Sequence, residues 1–174
     1  MILIISTCSY KLHENEFVKP ITKTLENYKI KHYTESFDLN SYAKIIICGT
    51  ALKDNEYLEN LELFDWLKTI QIPVLGICSG MQIIGLLNNS KIENKTEIGM
   101  KNIKTIKKNP LFPGEFQAYN LHSNNLTNLE NFDILAKSRD CMQAIKLKNY
   151  EIYGILFHPE VRNLKIIEKF LKIN

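Results

Sequence analysis

The chain has 174 residues, of which 45% are hydrophobic and 24% are charged, and its net charge at pH 7 is +3. This length suffices for a buried core, and the scattered basic residues give no indication of nucleic-acid binding. No window is long and apolar enough for a signal peptide or a membrane span, so we expect one soluble domain over residues 1–174.

The first half of the chain alternates short apolar runs with helical patterns. Apolar runs bounded by polar residues predict buried strands, and apolar residues recurring every three or four positions predict helices. The predicted strands are Met1–Ser6, Lys29–Tyr33, Ala43–Cys48 and Pro73–Ile77, and the predicted helices are Asn15–Leu25, Glu56–Thr69 and Met81–Leu87. This β-α-β-α order predicts a mostly parallel sheet flanked by helices.

The second half is rich in strands joined by polar turns. Predicted strands cover Lys101–Ile106, Glu115–Asn120, Phe132–Ala136, Ala144–Leu147 and Tyr153–Phe157, and an amphipathic helix covers Asn163–Ile173. Such strands should extend the sheet with antiparallel pieces. The predicted fold is therefore a single α/β domain, parallel in its first half and extended by antiparallel strands.

The chain has four cysteines, none of them close enough in sequence to another for a C-x-x-C motif or a zinc-type spacing. We therefore expect a reduced, cytoplasmic protein with free thiols and no metal site. Cys8, Cys48 and Cys141 are expected to be small packing residues, with Cys8 near the edge of the sheet where ligands bind in open α/β folds.

The fourth cysteine, Cys78, lies in a different context. It is the centre of a G-x-C-x-G turn, Gly76–Gly80, between a predicted strand and a predicted helix. Small residues on either side permit the tight turn that lifts a nucleophile out of a sheet. A sulfur at a helix N-terminus is favoured as thiolate, and the N–H of Ser79 would face an oxyanion.

A cysteine nucleophile needs a base, and His158 is the candidate. It follows the apolar strand Tyr153–Phe157, Pro159 stiffens the turn, and Glu160 can orient the imidazole. Alone, this H-P-E tripeptide would fit a structural histidine beside an unrelated glutamate; together with the cysteine turn it predicts a triad. The remaining histidines are weaker candidates: His13 lies in a polar stretch, His32 lies in a charged, edge-like strand, and His122 has no carboxylate nearby in sequence.

These two segments resemble the catalytic motifs of class I (triad-type) glutamine amidotransferases. The intervening stretches Glu97–Gly99, Asn109–Gly114, Leu121–Asn124 and Ile134–Ala144 resemble the amidotransferase component of GMP synthetases, especially the stand-alone archaeal subunit. The resemblance implies the family's flavodoxin-like α/β fold and no cofactor. It also implies glutamine as substrate and a separate synthetase subunit of the ATP-pyrophosphatase type, which takes up the ammonia.

The resemblance also implies roles for individual residues. Cys78 would be acylated by the glutamine side chain, His158 would protonate the departing ammonia, and Glu160 would hold the imidazole. The residues expected to form the oxyanion loop and glutamine pocket are Gly49, Thr50, Ser79, Gln82, Ser123 and Asn124, the last two mainly through their backbone.

The chain departs from the family pattern at several positions. Thr50 stands where a second glycine is usual, so a positive φ is disfavoured there and we expect a loop that a partner must reshape. Other departures are Ser6–Tyr10 in place of a Gly-Gly-Gln signature, Leu156 for Gln, Asn124 for Asp, and Val161–Leu164 after the H-P-E motif.

Three functions fit these residues. The first is an amidotransferase subunit that passes ammonia to a synthetase in trans. The second is a free-standing hydrolase of γ-glutamyl compounds, which would use the same triad without a partner. The third is a regulatory relative whose altered loop, Gly49–Ala51, leaves the site idle.

Overall fold

One nine-stranded sheet organises the chain in the computed structural model, which describes residues 1–174. Its strands are β1 Ile2–Ser6, β2 Tyr28–His32, β3 Lys44–Ile47, β4 Val74–Ile77, β5 Lys91–Thr105, β6 Glu115–Thr127, β7 Phe132–Lys137, β8 Met142–Leu147 and β9 Ile152–Ile155. They follow the spatial order β2-β1-β3-β4-β9-β8-β7-β5-β6.

The sheet has a parallel half and an antiparallel half. The strands β2, β1, β3, β4 and β9 pair in parallel, in the order typical of flavodoxin-like sheets. From β9 onward all pairings are antiparallel. The predicted α/β fold with an antiparallel extension is confirmed, and the carboxyl ends of β1, β3, β4 and β9 share one edge, where ligands bind in such folds.

Most helices are shorter than the sequence patterns predict, whereas α4 begins two residues earlier than predicted. They are α1 Glu14–Phe17, α2 Lys19–Thr22, α3 Glu56–Glu59, α4 Ser79–Leu87, α5 Pro159–Arg162 and α6 Lys165–Phe170, with 3-10 segments at Lys11–His13, Leu39–Ser41 and Leu61–Lys68. None of them combines the length and the apolar character that crossing a lipid bilayer requires.

Three of the predicted helices were wrong in their extent, and the one expected over residues 163–173 is α-helical only over Lys165–Phe170. The helix expected over residues 15–25 is broken at Val18 and ends at Thr22, because Pro20 has no N–H for an interior helical bond and is tolerated only in the first turn of α2. The helix expected over residues 56–69 is α-helical in its first turn only and continues as the 3-10 segment.

Successive side chains of the central strands point to opposite faces of the sheet and pack into two apolar layers. Ile4 and Ile46 point into the layer covered by α1, α2 and α6, whereas Ile5 and Ile47 point into the layer covered by α3, the 3-10 segment and α4. All four isoleucines are fully buried, as strands covered on both faces require. All four cysteines are buried free thiols, as the sequence predicts.

The hairpin β5–β6 extends well beyond the predicted strands, which were wrong in covering only residues 101–106 and 115–120. Residues 91–100 carry mostly polar, exposed side chains, with Glu97 as the buried exception, so they lack the apolar alternation that identifies a strand. Pairing with β6 along nearly its whole length supplies the backbone hydrogen bonds instead.

Helix α4 packs so closely on the sheet that Gly80 has no room for a side chain. A Cβ atom there would lie 2.6 Å from the backbone oxygen of Ile47. We expect Gly80→Ala to lower the free energy of unfolding by about 1–3 kcal/mol, because backbone cannot move aside cheaply. Urea unfolding measures this.

The matched control is Gly85→Ala in the same helix, which gains the same helix propensity. The atoms nearest to its Cβ would all belong to the side chain of Leu126, and a side chain can shift at lower cost than backbone. A loss at Gly85→Ala as large as at Gly80→Ala would contradict this account of the packing.

Candidate active site

Cys78 occupies a strained turn between β4 and α4. Its backbone has φ 50° and ψ −102°, a conformation that non-glycine residues rarely adopt and that costs on the order of 1–3 kcal/mol. A Cβ on Gly76 would lie 2.5 Å from the backbone of Gly80, so glycine at position 76 is what allows the turn to close. The geometry is that of a nucleophile elbow.

His158 reaches the same place because β4 and β9 are parallel neighbours. The N–H of Cys78 donates to the carbonyl of Ile155 at 2.8 Å, and the N–H of His158 donates to the carbonyl of Tyr119 on β6 at 2.8 Å. Gly49 lies between the two side chains: a Cβ there would be 2.8 Å from His158 Cε1 and 3.2 Å from Cys78 Cβ.

Glu160 holds the imidazole of His158. The distance from His158 Nδ1 to Glu160 Oε1 is 2.7 Å, and both side chains are buried. Pro159 begins α5, and the Phe17 ring packs 5.4 Å from the imidazole, centroid to centroid. Because Nδ1 is engaged and Nε2 makes no hydrogen bond within the chain, Nε2 is the nitrogen left for proton transfer.

The electrostatic surroundings favour the charged form of His158. Burial lowers the pKa of the imidazole, but the carboxylate of Glu160 and the sulfur of Cys78 outweigh burial and hold the pKa well above its ordinary value. The arrangement can therefore hold a proton on His158 and deliver it to a leaving group.

A small cavity lies against Cys78. Its volume of about 20 Å³ is enough for roughly one water molecule. The structure brings the following predicted pocket residues to it: Thr50, Ser79, Gln82, Ser123 and Asn124. Gly49 is not part of its lining and lies instead between Cys78 and His158, while His158 and Glu160 also lie outside it.

Hydrogen bonds fix the floor of this cavity. The amide of Gln82 accepts from the hydroxyl of Tyr57 at 2.5 Å and donates to the carbonyl of Asn124 at 3.4 Å. Ser79, Thr7 and the carbonyl of Cys48 form a second group, with distances of 2.8 to 3.1 Å. The side chain of Tyr57, which the sequence patterns did not single out, thus orients a predicted pocket residue.

The loop after β3 is not in a glycine-type conformation. Neither Gly49 nor Thr50 has a positive φ, and the hydroxyl of Thr50 donates to Asp54 at 2.6 Å. The N–H groups of Gly49 and Thr50 donate no hydrogen bond within the chain. The loop therefore accommodates threonine at position 50 without a positive φ, and the hydrogen bond from the Thr50 hydroxyl to Asp54 holds the loop in place.

His122 has a carboxylate partner that the sequence patterns missed. Glu97 on β5 lies directly opposite His122 on β6, with 3.4 Å between Oε2 and Nε2. The partner was hidden because it belongs to the neighbouring strand of the hairpin, in a segment not predicted to be a strand.

Cys141 joins this buried pair, and the three possible ligand atoms lie within 4.8 Å of one another. Both oxygens of Glu97 already accept hydrogen bonds, from Ser138 and Gln143. Burial, with the nearby charge of Glu97, raises the pKa of Cys141 to about 12, so its sulfur stays a thiol here. Within this cluster Glu97, Ser138 and Gln143 form a buried hydrogen-bonded group, whereas neither ring nitrogen of His122 makes a hydrogen bond within the chain.

Comparison with known proteins shows which family this chain resembles. The model of the family described as "Glutamine amidotransferase class-I" matches residues 7–172. A glutamine-hydrolysing GMP synthase subunit of Methanosphaera stadtmanae is 38% identical over 118 residues, which cover 60% of this chain and 62% of that protein. The GMP synthase of Borrelia garinii subsp. bavariensis is 35% identical over 121 residues, covering 65% of this chain.

The chain spans 22% of the length of the Borrelia synthase. Among solved structures, a Thermoplasma acidophilum protein provisionally described as a GMP synthase subunit superimposes with a TM-score of 0.86 over 98% of this chain and 91% of that chain. Its sequence identity is 23%, so it supports the fold alone. A glutamine amidotransferase from Thermotoga maritima superimposes with a TM-score of 0.73 over 98% of this chain and 81% of that chain, at 15% identity.

Proposed function

This chain belongs to the class I glutamine amidotransferase family, and we propose that it is a glutaminase subunit that supplies ammonia to a separate GMP synthetase subunit. The observation that carries the proposal is Cys78 at a strained strand-to-helix turn, beside a His158 that Glu160 orients. We propose these three residues as the catalytic triad.

The proposed chemistry begins with attack of the Cys78 sulfur on the side-chain carbonyl carbon of glutamine. Ser79 is the first residue of α4, and its N–H has no partner within the helix, so it can donate to the oxyanion. An N–H from the loop at Gly49 and Thr50 can be the second donor. His158 gives its proton to the departing nitrogen as the C–N bond breaks, which leaves a γ-glutamyl thioester and ammonia.

Hydrolysis of the thioester returns the enzyme to its starting state. His158, now neutral, takes a proton from water as the water oxygen bonds to the carbonyl carbon and the C–S bond breaks. Glutamate leaves, and Cys78 is again paired with a protonated His158. The carboxylate of Glu160 stabilises the imidazolium in both half-reactions.

Substrate binding is assigned to the cavity beside Cys78. We propose that Gln82 and the backbone of Ser123 and Asn124 hold the amino-acid end of glutamine. The cavity of about 20 Å³ is far too small for that molecule, so the surrounding loop must move before glutamine reaches the sulfur.

The proposed partner follows from the relatives that this chain resembles. Those of archaeal origin are named as subunits of GMP synthase, and the Borrelia synthase is much longer than this chain. We propose that a synthetase of the ATP-pyrophosphatase type acts in trans and takes up the ammonia, and that both chains work in the cytoplasm. The chain itself is proposed to act as one domain without a cofactor.

Ammonia release from glutamine tests the proposal. The purified chain alone should release little ammonia, and release should rise at least about tenfold when the synthetase from the same organism is added with its nucleotide substrates. Strong activity on other γ-glutamyl amides without a partner would favour the free-standing hydrolase. No ammonia in any mixture would favour the idle relative.

The position of Gly49 gives a further prediction. Gly49→Ala would place a Cβ 2.8 Å from the His158 ring, which must then shift relative to Cys78. We expect the partner-stimulated glutaminase rate to fall by about 10²-fold, as displacements of this size do in active sites. The control is Gly85→Ala, a buried glycine of α4 outside the site, which should keep its rate once shown to be folded.

A further inference from the structure

Asp54 joins two loops at the edge of the sheet where Cys78 lies. One of its oxygens, Oδ2, accepts from the hydroxyl of Thr50 at 2.6 Å, from Nδ1 of His13 at 2.7 Å and from the N–H of Ser9 at 3.1 Å. The side chain is 5% exposed. Three donors converge on one buried carboxylate oxygen, so the loops after β1 and β3 are fastened to each other.

The carboxylate of Asp54 is well supported in its charged form. Burial alone would raise its pKa, but the hydrogen bonds from Thr50, His13 and Ser9 outweigh burial and hold the pKa below its ordinary value. A further hydrogen bond, from the N–H of Asp54 to the carbonyl of Ala51 at 2.9 Å, closes the turn between Ala51 and Asp54. The loop is thus held by a hydrogen bond within it and by hydrogen bonds to Ser9 and His13 outside it.

The tied loop also borders the small cavity beside Cys78. Thr50, Leu52, Asp54 and Asn55 of this loop line the small cavity together with Ser123 and Asn124 on β6. With room for about one water molecule, the cavity admits no amino acid while these residues stay in place. Opening therefore requires part of the lining to move, and the loop that Asp54 holds is one such part.

We propose that Asp54 is a positioning residue that latches the loop of residues 50–55 closed over Cys78, and that release of this latch opens the glutamine pocket. The inference rests on the proposed function, since it concerns access to the same sulfur. Thr50 is the part of the latch that a glycine at this position would lack, because glycine has no hydroxyl to donate. Ser9 and His13 connect the latch to the loop after β1.

The experiment measures how fast iodoacetamide alkylates Cys78, by peptide-resolved mass spectrometry of the folded full-length chain. Thr50→Val keeps the shape of the side chain and removes its hydroxyl, and Asp54→Ala removes the acceptor. We expect alkylation of Cys78 at least about tenfold faster in both variants than in the wild type. Thr50→Ser, which retains the hydroxyl, should react at the wild-type rate.

Asp65→Ala is the matched control for loss of an aspartate. Asp65 is 56% exposed and pairs only with Lys68 on its own 3-10 segment, so the variant should leave alkylation of Cys78 unchanged. Should Asp54→Ala fail to fold, Thr50→Val decides the question. Unchanged or slower alkylation in folded Thr50→Val would overturn the latch.

A kinetic measurement separates the latch from a general loss of structure. In the partner-free glutaminase assay, an unlatched chain should show a lower KM for glutamine with kcat changed less, because a larger fraction of molecules is competent to bind. Faster alkylation without glutaminase activity, even with the synthetase present, would leave the latch standing and reject the proposed function. Glutaminase activity in the variants with unchanged alkylation of Cys78 would support the proposed function and reject the latch.

Discussion

Cys78→Ala is expected to abolish ammonia release from glutamine, with the partner-stimulated rate falling by about 10⁴-fold or more. The sulfur is the only group of the proposed triad that bonds to the substrate, and loss of a nucleophile removes the whole covalent route. Initial-rate assays with the synthetase present measure the effect, and the variant should still bind the synthetase.

Cys48→Ala is the control for this substitution. Its thiol is fully buried at the end of β3, and burial holds its pKa well above the ordinary value, so it packs and does not react. The variant should keep the wild-type rate within a few-fold. Residual activity in Cys78→Ala comparable with that of Cys48→Ala would reject Cys78 as the nucleophile.

Glu160→Gln is expected to lower the rate by about 10²-fold or more and to move the high-pH limb of the activity profile to lower pH. Burial lowers the pKa of His158, and the charge of Glu160 is the main influence that raises it. Without that charge the pKa of His158 falls, so the proton needed by the departing ammonia is lost at a lower pH as pH rises.

The pH profile of kcat checks this, with Glu168→Gln as control. Glu168 is exposed on α6, and its replacement changes the net charge by the same amount without touching His158. An unmoved or upward-shifted basic limb in Glu160→Gln would show that Glu160 does not govern the proton on His158.

The parts of the fold that the sequence predicted are those whose signal is local. Buried strands such as Ile2–Ser6 and Val74–Ile77 are nearly all apolar, because helices cover both faces of the sheet. Residues 91–100 are mostly polar and form a strand because β6 pairs with them, which no local pattern reveals. The break at Val18 shows a local signal, Pro20, that the helical periodicity concealed.

The features of the site also differ in whether a local sequence pattern indicates them. Cys78 and His158 were predictable because each follows an apolar strand, and parallel strands end at one edge of a sheet. The bonds of Asp54 to His13 and Ser9 were not, since residues of those loops carry no pattern that pairs them. Nor does the sequence reveal that Thr50, once recognised as unusual, is bound through its hydroxyl rather than strained at φ.

The central claim is that Cys78 forms a covalent bond to the side-chain carbonyl carbon of glutamine. Its most direct test is intact-mass and peptide mass spectrometry of the chain after reaction with a glutamine-mimicking diazo-ketone in the presence of the synthetase. The account predicts one adduct per chain, located on Cys78 and absent from Cys78→Ala. An unmodified Cys78 under these conditions, or an adduct located on Cys8 instead, would contradict it.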